Sequence, residues 1–545
     1  MQVIINLGKI SENNTLKKVE NITHIKITEE ELKKYFAFLK ENSLIKANKY
    51  EDINWLIYDE NKDRDIIFKF DIEMYWELNK ALKGFILLKR MTGVSIGSCR
   101  TYLIHLKKVI IATNKFENLD ALESLLISQT PLVSYEMAQN IKRFMTFYEH
   151  SLSVEVIKIC NQIKKPVRTN RSLPCFPDVL AFDDAIRNFY ENVNPENQIR
   201  FYPILIWWKL TNILPMRVIE FLKLKKNCIE KKDDGSFWIK LPREKKKEDS
   251  PFKIEVSDTI QINQEVYEII LQYIQIIDKE NIETDYLLPY DLYVKFLPYP
   301  NKSSSQRLGT KNRLTDKYLQ RILDDFYTEI VKNESIDRVN YGDTRHFAIM
   351  NMFLQGFNML SIARMAGHED LEMQFSYYSH VDHFVQSQVY LLAQKKLEQN
   401  IEQTIGSKMT NTTRYLYDKG LMYEEEELMK YRKVDYGFCT NTDFPDNCAG
   451  ECRICNSYYI FKPAINDISD GLKWLTDYSN SLQRNTKELT DMMFSLSKNM
   501  YYDFQSLRHQ ESAQLKLNTA SSQLTKFMDQ RATVEAWIRS YREDE

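Results

Sequence analysis

Two arginines, a histidine and a pair of adjacent tyrosines have residue types suited to chemistry on a phosphodiester. His368 follows Arg345 by 23 residues, and Tyr377 and Tyr378 follow His368 by nine and ten. Together with Arg217, Arg345 can donate paired hydrogen bonds to the non-bridging oxygens of a pentavalent phosphorane. A deprotonated tyrosine can attack phosphorus and form a phosphotyrosine, which stores the bond energy for rejoining without ATP. These residues predict phosphoryl transfer without a nucleotide cofactor, and the sequence contains no Walker loop.

Each of these residues, taken alone, has an ordinary structural explanation. Arg217 and Glu220 are three residues apart, which on a helix usually gives a surface ion pair. The lysines between the β-rich segments 237–241 and 252–256 would lie at a solvated hairpin tip. His368 would be a buried histidine at a helix end. Only the order and spacing of the whole set argue for a shared site.

The set resembles the catalytic residues of the tyrosine recombinase, or phage integrase, superfamily. That family has an Arg in an Arg-x-x-Glu-x-x-x-Leu-like helix, a Lys on a β-hairpin, an Arg in a His-x-x-Arg-His string, a Leu-Gly-His string and a Tyr nine or ten residues later. The corresponding strings here include Arg217, the lysines 245–247, Arg345 and the Ala366-Gly-His string. The resemblance implies a mainly α fold with a small β-sheet (α+β), in which a helical core-binding domain and a tyrosine recombinase catalytic domain clamp duplex DNA.

The resemblance also implies a role for each matching residue. Arg217 and Arg345 would clamp the phosphate, and His368 would orient or stabilise it. A hairpin lysine would protonate the departing 5′ hydroxyl. Lys247 is favoured by its distance back from the second strand, and the two preceding lysines are the alternatives.

The nucleophile has two candidates. Tyr378 is favoured because Tyr-Ser-His-Val resembles the family's Tyr-Thr/Val-His ending, and because a ten-residue spacing resembles that of large transposon-borne members. Tyr377 would then be a packing residue. The chain also has Gly342 where the family's second string usually begins with His. One hydrogen-bond donor or acid–base group is therefore missing, and water or a neighbour such as Tyr341 would take its place. We expect DNA cleavage to be slower, or to depend on a partner protein.

Basic residues outside this set are candidates for contacts with the DNA backbone. The segment 164–178 has three prolines and no acidic residue before Asp178, and it is either an ordinary linker or a basic linker lying on phosphates. Residues 209–247 contain twelve Lys and Arg against five Asp and Glu. The predicted DNA-binding residues are Lys164, Lys165, Arg168, Arg171, Lys245 and Lys246.

Composition excludes several other classes of protein. The chain has 545 residues with 74 Lys and Arg against 76 Asp and Glu, so its formal net charge of −2 identifies no partner. Its 14 Gly and 14 Pro are too few for a collagen-like or broadly disordered chain. The sequence has neither a secretory signal pattern nor a run of about 18 apolar residues. We therefore expect a soluble, cytoplasmic and nucleoid-associated protein with no membrane partner.

Changes in composition and periodicity predict five regions. They are an N-terminal helical DNA-binding region (1–163), a basic Pro-containing linker (164–178), a catalytic domain (179–395), a Cys-rich module (396–463) and a C-terminal helical region (464–545). In the first region, Thr28 and Glu31 predict a capping box.

The last region contains a heptad pattern. Leucines 475, 482, 489 and 496 recur every seven residues. This predicts a long helix that pairs either with another helix of the same chain or with a second chain in a coiled coil.

The cysteines fall into a clustered and an isolated set. The clustered cysteines are Cys439, Cys448, Cys452 and Cys455. Their spacing, C-x8-C-x3-C-x2-C, suits a tetrahedral structural Zn²⁺ held by four thiolates, with a redox dithiol as the alternative. The isolated cysteines, predicted to be buried thiols, are Cys99, Cys160, Cys175 and Cys228.

The Cys-rich extension, the long tail and the chain length resemble the B-type transposase subunit of transposons that encode several transposition proteins. This resemblance implies site-specific integration and excision of a mobile element. Its implied partners are double-stranded DNA at transposon ends and target, a tetrameric synaptic complex, a second recombinase subunit and a small accessory protein. One alternative is a non-catalytic, DNA-binding architectural subunit that supports a partner recombinase, which Gly342 favours. A type IB topoisomerase, which shares the chemistry, is the other.

Overall fold

A computed structural model shows a mainly helical protein with small β-sheets, which confirms the predicted fold class. The chain forms two compact units, residues 1–169 with 299–315 and residues 170–298 with 316–545. Within the described residues, no helix is both long and apolar enough to cross a membrane. The structure describes residues 2–11, 14–21, 27–166, 172–192, 198–243, 258–296, 312–333, 335–368, 371–378, 380–404, 428–446, 448, 450–455, 458–505 and 511–542.

The first unit combines helices with two small antiparallel sheets. The strands are β1 (Gln2–Ser11) paired with β2 (Asn14–Asn21), and β3 (Ile45–Lys46), β4 (Asn54–Asp59) and β5 (Arg64–Lys69) in the order β3-β4-β5. The helices are α1 (Glu29–Glu41), α2 (Trp76–Met91), α3 (Ile96–Ala112), α4 (Leu119–Ile127), α5 (Pro131–Met145) and α6 (Ser153–Gln162). The sequence patterns predict the helices but not the three-stranded sheet, where Trp55 lies opposite Phe68 and both side chains are fully buried.

The first helix begins with the predicted capping box. The Glu31 amide donates a hydrogen bond to the Thr28 hydroxyl at 3.3 Å, and the Thr28 amide donates to Glu31 Oε2 at 2.8 Å. Two of the otherwise unpaired amides at the helix start are thereby satisfied. From this start α1 buries Leu32, Phe36 and Leu39 in the core of the first unit.

The second unit contains the remaining elements, numbered in chain order. The helices are α7 (Phe176–Asn192), α8 (Tyr202–Thr211), α9 (Val218–Leu222), α10 (Gln264–Lys279), α11 (Tyr290–Lys295), α12 (Asp316–Phe326), α13 (Asp343–Leu354), α14 (Met359–Ala366), α15 (Phe375–Tyr378), α16 (Val381–Thr404), α17 (Ile468–Gln505) and α18 (Glu511–Arg542). The strands are β6 (Ile229–Lys231), β7 (Phe237–Lys240) and β8 (Thr259–Ile262), in the order β6-β7-β8, and β9 (Arg432–Val434), β10 (Gly437–Cys439) and β11 (Tyr459–Phe461), in the order β11-β10-β9.

Helix α8 lies at the centre of the second unit. Every α8 residue except Lys209 is buried, as expected for a helix that is apolar on all sides. The hydroxyls of Thr211 in α8 and Thr344 in α13 are hydrogen-bonded at 2.7 Å, and the Trp207 indole donates to the Tyr341 carbonyl at 3.3 Å. These two contacts place the start of α13 beside the segment that follows α8.

The sheet β6-β7-β8 contains the first strand of the predicted hairpin. Strand β7 pairs antiparallel with β8, with Lys240 opposite Thr259, so the strand after the turn begins at residue 259. The predicted second strand, 252–256, lies outside the described residues.

The helices α17 and α18 pack against each other within the chain. The Ser479 hydroxyl of α17 donates to Glu535 Oε1 of α18 at 2.6 Å. Of the heptad leucines, 475 and 482 are buried, whereas 489 and 496 are only half-buried, because the buried face continues through Met493 and Met500. Of the two arrangements that the heptads allow, the structure has the intramolecular one.

Three of the four isolated cysteines are buried as predicted. Burial raises the thiol pKa of Cys99 to about 11, and those of Cys160 and Cys228 to about 12. The prediction is wrong for Cys175, which is exposed and whose thiol contacts Asp178 Oδ2 at 2.9 Å. Cys175 immediately precedes α7, where its thiol reaches a carboxylate of the first turn instead of the core.

Gly437 of β10 has no room for a side chain, and this gives a test of the sheet β11-β10-β9. A Cβ at this position would lie 1.9 Å from the Ile460 carbonyl oxygen of β11, an atom that cannot move without disturbing the strand pairing. We predict that Gly437→Ala lowers the free energy of unfolding by about 2 kcal/mol or more, as measured by thermal or urea denaturation.

The matched control is Gly97→Ala in α3, where a Cβ meets no atom within 4 Å. Since Ala has the higher helix propensity, this control should be neutral or stabilising by up to about 1 kcal/mol. An unchanged melting temperature for Gly437→Ala would contradict the strand register.

Candidate active site

Arg217 is fixed at the start of α9 by a buried carboxylate. Its backbone amide and its Nη1 donate to the two oxygens of Glu220, both at 2.8 Å, and Glu220 is fully buried. Its Nη2 donates to the Gly367 carbonyl at 2.8 Å. The spacing that usually gives a surface pair therefore forms a buried brace, which directs the guanidinium toward the end of α14.

Arg345 of α13 reaches the same place from another direction. Its Nη1 donates to the Pro215 carbonyl and its Nη2 to the Ala366 carbonyl, both at 2.8 Å. Burial lowers the pKa of this guanidinium, and the nearby charge of Arg217 lowers it further. The structure thus brings together two of the predicted residues from distant parts of the sequence.

A third arginine, Arg243, lies at this site and was not selected from the sequence. It follows β7, its Nη2 donates to the Met365 carbonyl at 2.8 Å, and its Nη1 lies 3.6 Å from Glu220 Oε2. Only 2% of its side chain is exposed, and burial lowers its pKa. In the sequence it is one basic residue in a lysine-rich stretch, so nothing distinguishes it from neighbours predicted to be solvated.

The three arginines bind three successive carbonyls, those of residues 365–367, at the C-terminal end of α14. The last carbonyls of a helix have no partner within the helix and carry the negative end of its dipole, so cations are favourable there. Gly367 has a φ of +66°, which lets the chain leave the helix. The Gly-His string is therefore a helix end, and it sets the position of His368.

His368 is buried beside the arginines. Only 2% of it is exposed, and its ring stacks on Tyr377 with centroids 5.6 Å apart. Burial lowers its pKa to about 3, and the charges of Arg345 and Arg217 act in the same direction. The imidazole is therefore neutral near pH 7. Its Nδ1 contacts no hydrogen-bonding group among the described residues, and a neutral ring offers one donor and one acceptor.

The structure places Tyr377, not Tyr378, beside these groups. The Tyr377 hydroxyl lies 3.4 Å from Arg345 Nε. Tyr378, the predicted nucleophile, faces the core: its hydroxyl donates to Gln374 Oε1 at 2.8 Å, and its ring packs on Phe353 with centroids 4.3 Å apart. Burial raises the pKa of the Tyr378 phenol. The preference for Tyr378 therefore disagrees with the geometry, and the alternative residue occupies the site.

A second imidazole contacts Tyr377. The ring of His346 lies 4.5 Å from that of Tyr377, centroid to centroid. His346 is one helical turn after Gly342, the position where the family's usual His is missing. Of the groups near Gly342, the structure puts His346 against Tyr377, whereas the Tyr341 carbonyl accepts the Trp207 hydrogen bond. The Arg-His dipeptide was the available signal in the sequence.

The other predicted binding residues fall into two groups. Lys245, Lys246, Lys247, Arg168 and Arg171 lie outside the described residues. Lys164 and Lys165 are exposed in the first unit. Lys165 lines a cavity of about 570 Å³ there, together with the basic side chain of Arg143.

The four clustered cysteines lie around the sheet β11-β10-β9. Cys439 ends β10, Cys448 lies in the following loop, and Cys452 and Cys455 flank the turn before β11. Burial raises the pKa of the Cys452 thiol to about 11, and the negative charges of Asp435 and of the other three cysteines raise it too. Four sulfurs in one small module are a donor set that suits Zn²⁺. Among the described residues, however, the potential metal-ligand atoms that lie within 4.8 Å of one another are those of Cys175, Asp178 and Asp337. The zinc site of the clustered cysteines therefore stays a prediction.

Comparison with known protein families finds one match in this chain. Residues 184–383 match the model of the phage integrase family. The match includes Arg217, Arg243, Arg345, His368 and Tyr377. No curated protein shows significant similarity to the chain.

Solved structures of recombinases show similarity at low identity. A XerA recombinase is 13% identical, with a TM-score of 0.26, and the alignment covers 55% of this chain and 93% of that one. A XerH site-specific recombinase in a post-cleavage complex with palindromic difH substrate is 13% identical, with a TM-score of 0.35 and coverage of 55% and 81%. The XerH pre-cleavage complex with difH substrate is 12% identical, with a TM-score of 0.36 and coverage of 66% and 96%.

The buried, neutral state of His368 predicts an effect of pH on stability. Its pKa is about 3 in the folded protein and about 6.5 in the unfolded chain. Between these values the unfolded state binds more protons, so stability is retained above about pH 6.5 and is lost as the pH falls toward 3. We predict that His368→Asn removes on the order of 2 kcal/mol of the destabilisation seen between pH 7.5 and pH 5.

The measurement is thermal or urea denaturation at the two pH values. The control is His105→Asn in the first unit, where half-burial also lowers the imidazole pKa and a smaller change is expected. Equal pH dependence of the wild type and His368→Asn would show that His368 is not held neutral.

Proposed function

We propose that this chain, whose residues 184–383 match the phage integrase family, breaks and rejoins DNA strands through a covalent bond between Tyr377 and a 3′ phosphate. The observation that supports the proposal is the position of Tyr377, whose hydroxyl lies 3.4 Å from Arg345 Nε and whose ring packs against the rings of His346 and His368. A phenol in a purely structural role has no need of two imidazoles and a buried guanidinium.

In the proposed reaction the phosphate lies against the arginines at the end of α14. Each guanidinium has five N–H donors, more than the carbonyls and carboxylate that it contacts, so it can bind the phosphate while its own position stays fixed. Arg217 and Arg345 stabilise the charge that develops on the non-bridging oxygens. His368, being neutral, adds a hydrogen bond without adding charge.

The covalent step exchanges one ester for another. The Tyr377 oxygen attacks phosphorus, and its proton passes to a base, for which His346 is the nearest imidazole by ring distance. The bond from phosphorus to the 5′ oxygen breaks, and a general acid, predicted to be Lys247, donates the proton that this oxygen needs. Attack by a 5′ hydroxyl on the phosphotyrosine reverses both transfers and restores a DNA strand.

The finer assignments extend this proposal on the sequence resemblance. The DNA would be the ends of a mobile element and its target site, with the chain acting as a B-type transposase subunit in a tetrameric synaptic complex. A second recombinase subunit and a small accessory protein would be its partners, and the nucleoid its location. An architectural, DNA-binding subunit remains the second candidate, because Gly342 removes one of the family's usual groups.

The position of the two tyrosines predicts which substitution abolishes cleavage. On a nicked suicide substrate that carries the element's end, the wild type should form a protein–DNA adduct that survives denaturation. Tyr377→Phe should lower adduct formation by about 10⁴-fold or more, because it removes the nucleophile. Tyr378→Phe, the matched control one residue away, should keep most of the activity.

Adduct loss in Tyr378→Phe alone would overturn the assignment of Tyr377. Failure of the wild type to form an adduct, including in the presence of a partner recombinase, would favour the architectural subunit.

We also propose that the four clustered cysteines hold one structural Zn²⁺. Purified protein should contain about one equivalent of zinc by elemental analysis, and Cys452→Ser or Cys455→Ser should make it substoichiometric with a lower melting temperature. Cys99→Ala, which alters a buried cysteine outside the cluster, should leave the zinc content at one equivalent. Zinc-free wild-type protein with an unaltered melting temperature would favour a redox dithiol.

A further inference from the structure

The C-terminal helices contact the short helix that carries Tyr377. Phe375 and Tyr378 lie on either side of Tyr377 in the sequence, and both pack against Phe494 of α17, with ring centroids 5.8 and 6.0 Å apart. Tyr501, two turns along α17, packs against Phe375 at 5.6 Å. The side of α15 opposite the arginines is therefore held by the tail.

The same tail holds the helices on both sides of α15. At the end of α13, the helix of Arg345, Ser521 of α18 donates to the Leu354 carbonyl at 2.6 Å, and Gln514 donates to the Gly356 carbonyl at 3.0 Å. Asp382 of α16, the helix that follows α15, accepts a hydrogen bond at 3.2 Å from the hydroxyl of Thr490 in α17.

Further along α16, the contacts with the tail are ionic and aromatic. The buried Lys396 pairs with Asp529 of α18 at 2.9 Å, and the Arg539 guanidinium lies 3.9 Å from the centre of the Tyr390 ring. The tail thus contacts both α13, before Tyr377, and α16, after it. These contacts fix the distance between the two helices.

The tyrosine helix has little to hold it otherwise. Helix α15 has four residues, too few to be stable by its own backbone hydrogen bonds. Its inner face rests on Phe353 and on Gln374, which donates to the Met359 carbonyl at 2.6 Å. Rings of α17 cover the remaining aromatic faces. Each such aromatic contact contributes about 0.5–1.5 kcal/mol, and together they fix the rotation of α15 that turns Tyr377 toward Arg345.

We propose that the C-terminal helices act within the same chain as a brace that positions Tyr377, with Phe494 as the main positioning residue. The proposal rests on the function proposed above for Tyr377. Among the described residues, the ring contacts of Phe494 are with Phe375 and Tyr378, so it acts on Tyr377 through these neighbours. The brace makes the tail a requirement for cleavage and not for the integrity of the phosphate-binding cluster.

The test compares Phe494→Ala with Met492→Ala, two residues earlier on the same helix. Both side chains are partly exposed, 36% and 43%, but Phe494 packs against the rings of Phe375 and Tyr378. Phe494→Ala should lower the rate of adduct formation at saturating DNA by about 10²-fold, as for a misplacement of about 1 Å. Its DNA dissociation constant should stay within about twofold, because the arginine cluster is unchanged. Phe494→Tyr should restore the rate, and Met492→Ala should match the wild type.

A second readout does not depend on catalysis. With 3-fluorotyrosine at position 377, Phe494→Ala should shift or broaden the ¹⁹F resonance, whereas Met492→Ala should leave it unchanged. If the wild type forms no adduct but the resonance responds, the brace stands and the proposed function fails. If the wild type forms the adduct and Phe494→Ala changes neither rate nor resonance, the brace is wrong. Equal losses of DNA binding and rate would also overturn it, since they indicate general unfolding.

Discussion

The candidate site depends on the binding of three arginines to three successive carbonyls at the end of one helix. The carbonyls of residues 365–367 accept hydrogen bonds from Arg243, Arg345 and Arg217, which come from the segment after β7, from α13 and from the start of α9. A helix end supplies these acceptors at fixed spacing, because its last carbonyls have no partner within the helix. Three distant segments are thereby brought to one point, and each guanidinium keeps a defined orientation.

The same interaction explains the state of the histidine. His368 follows directly after the carbonyls that the arginines bind, so it is held among positive charges and away from water. Both effects favour the neutral imidazole. A site for an anionic substrate thus gains a hydrogen-bonding ring whose protonation changes little between pH 5 and pH 8, and its charge comes from groups that do not titrate in this range.

Spacing along the chain predicted both the family whose model residues 184–383 match and the grouping of Arg217, Arg345 and His368, because spacing is informative where local patterns are ambiguous. It favoured Tyr378, whereas the structure places Tyr377 beside Arg345. Adjacent residues on a helix point about 100° apart, and the packing of Tyr378 on Phe353, which the sequence does not show, turns Tyr377 toward the arginines. Arg243 was missed for a similar reason. Its burial depends on Glu220, which is close in space but 23 residues earlier in the sequence.

The positive charge of the arginine cluster is only partly balanced by the carboxylate beside it. Glu220 is the carboxylate that contacts two of the three guanidiniums, and burial lowers the pKa of both Arg243 and Arg345. Holding these cations together in the folded protein therefore costs free energy. A phosphodiester against the cluster would offset part of this cost, and the extra negative charge of a pentavalent phosphorane would offset more. If the chain has the proposed function, an arginine cluster that is unfavourable without an anion would stabilise the transition state more than the bound substrate.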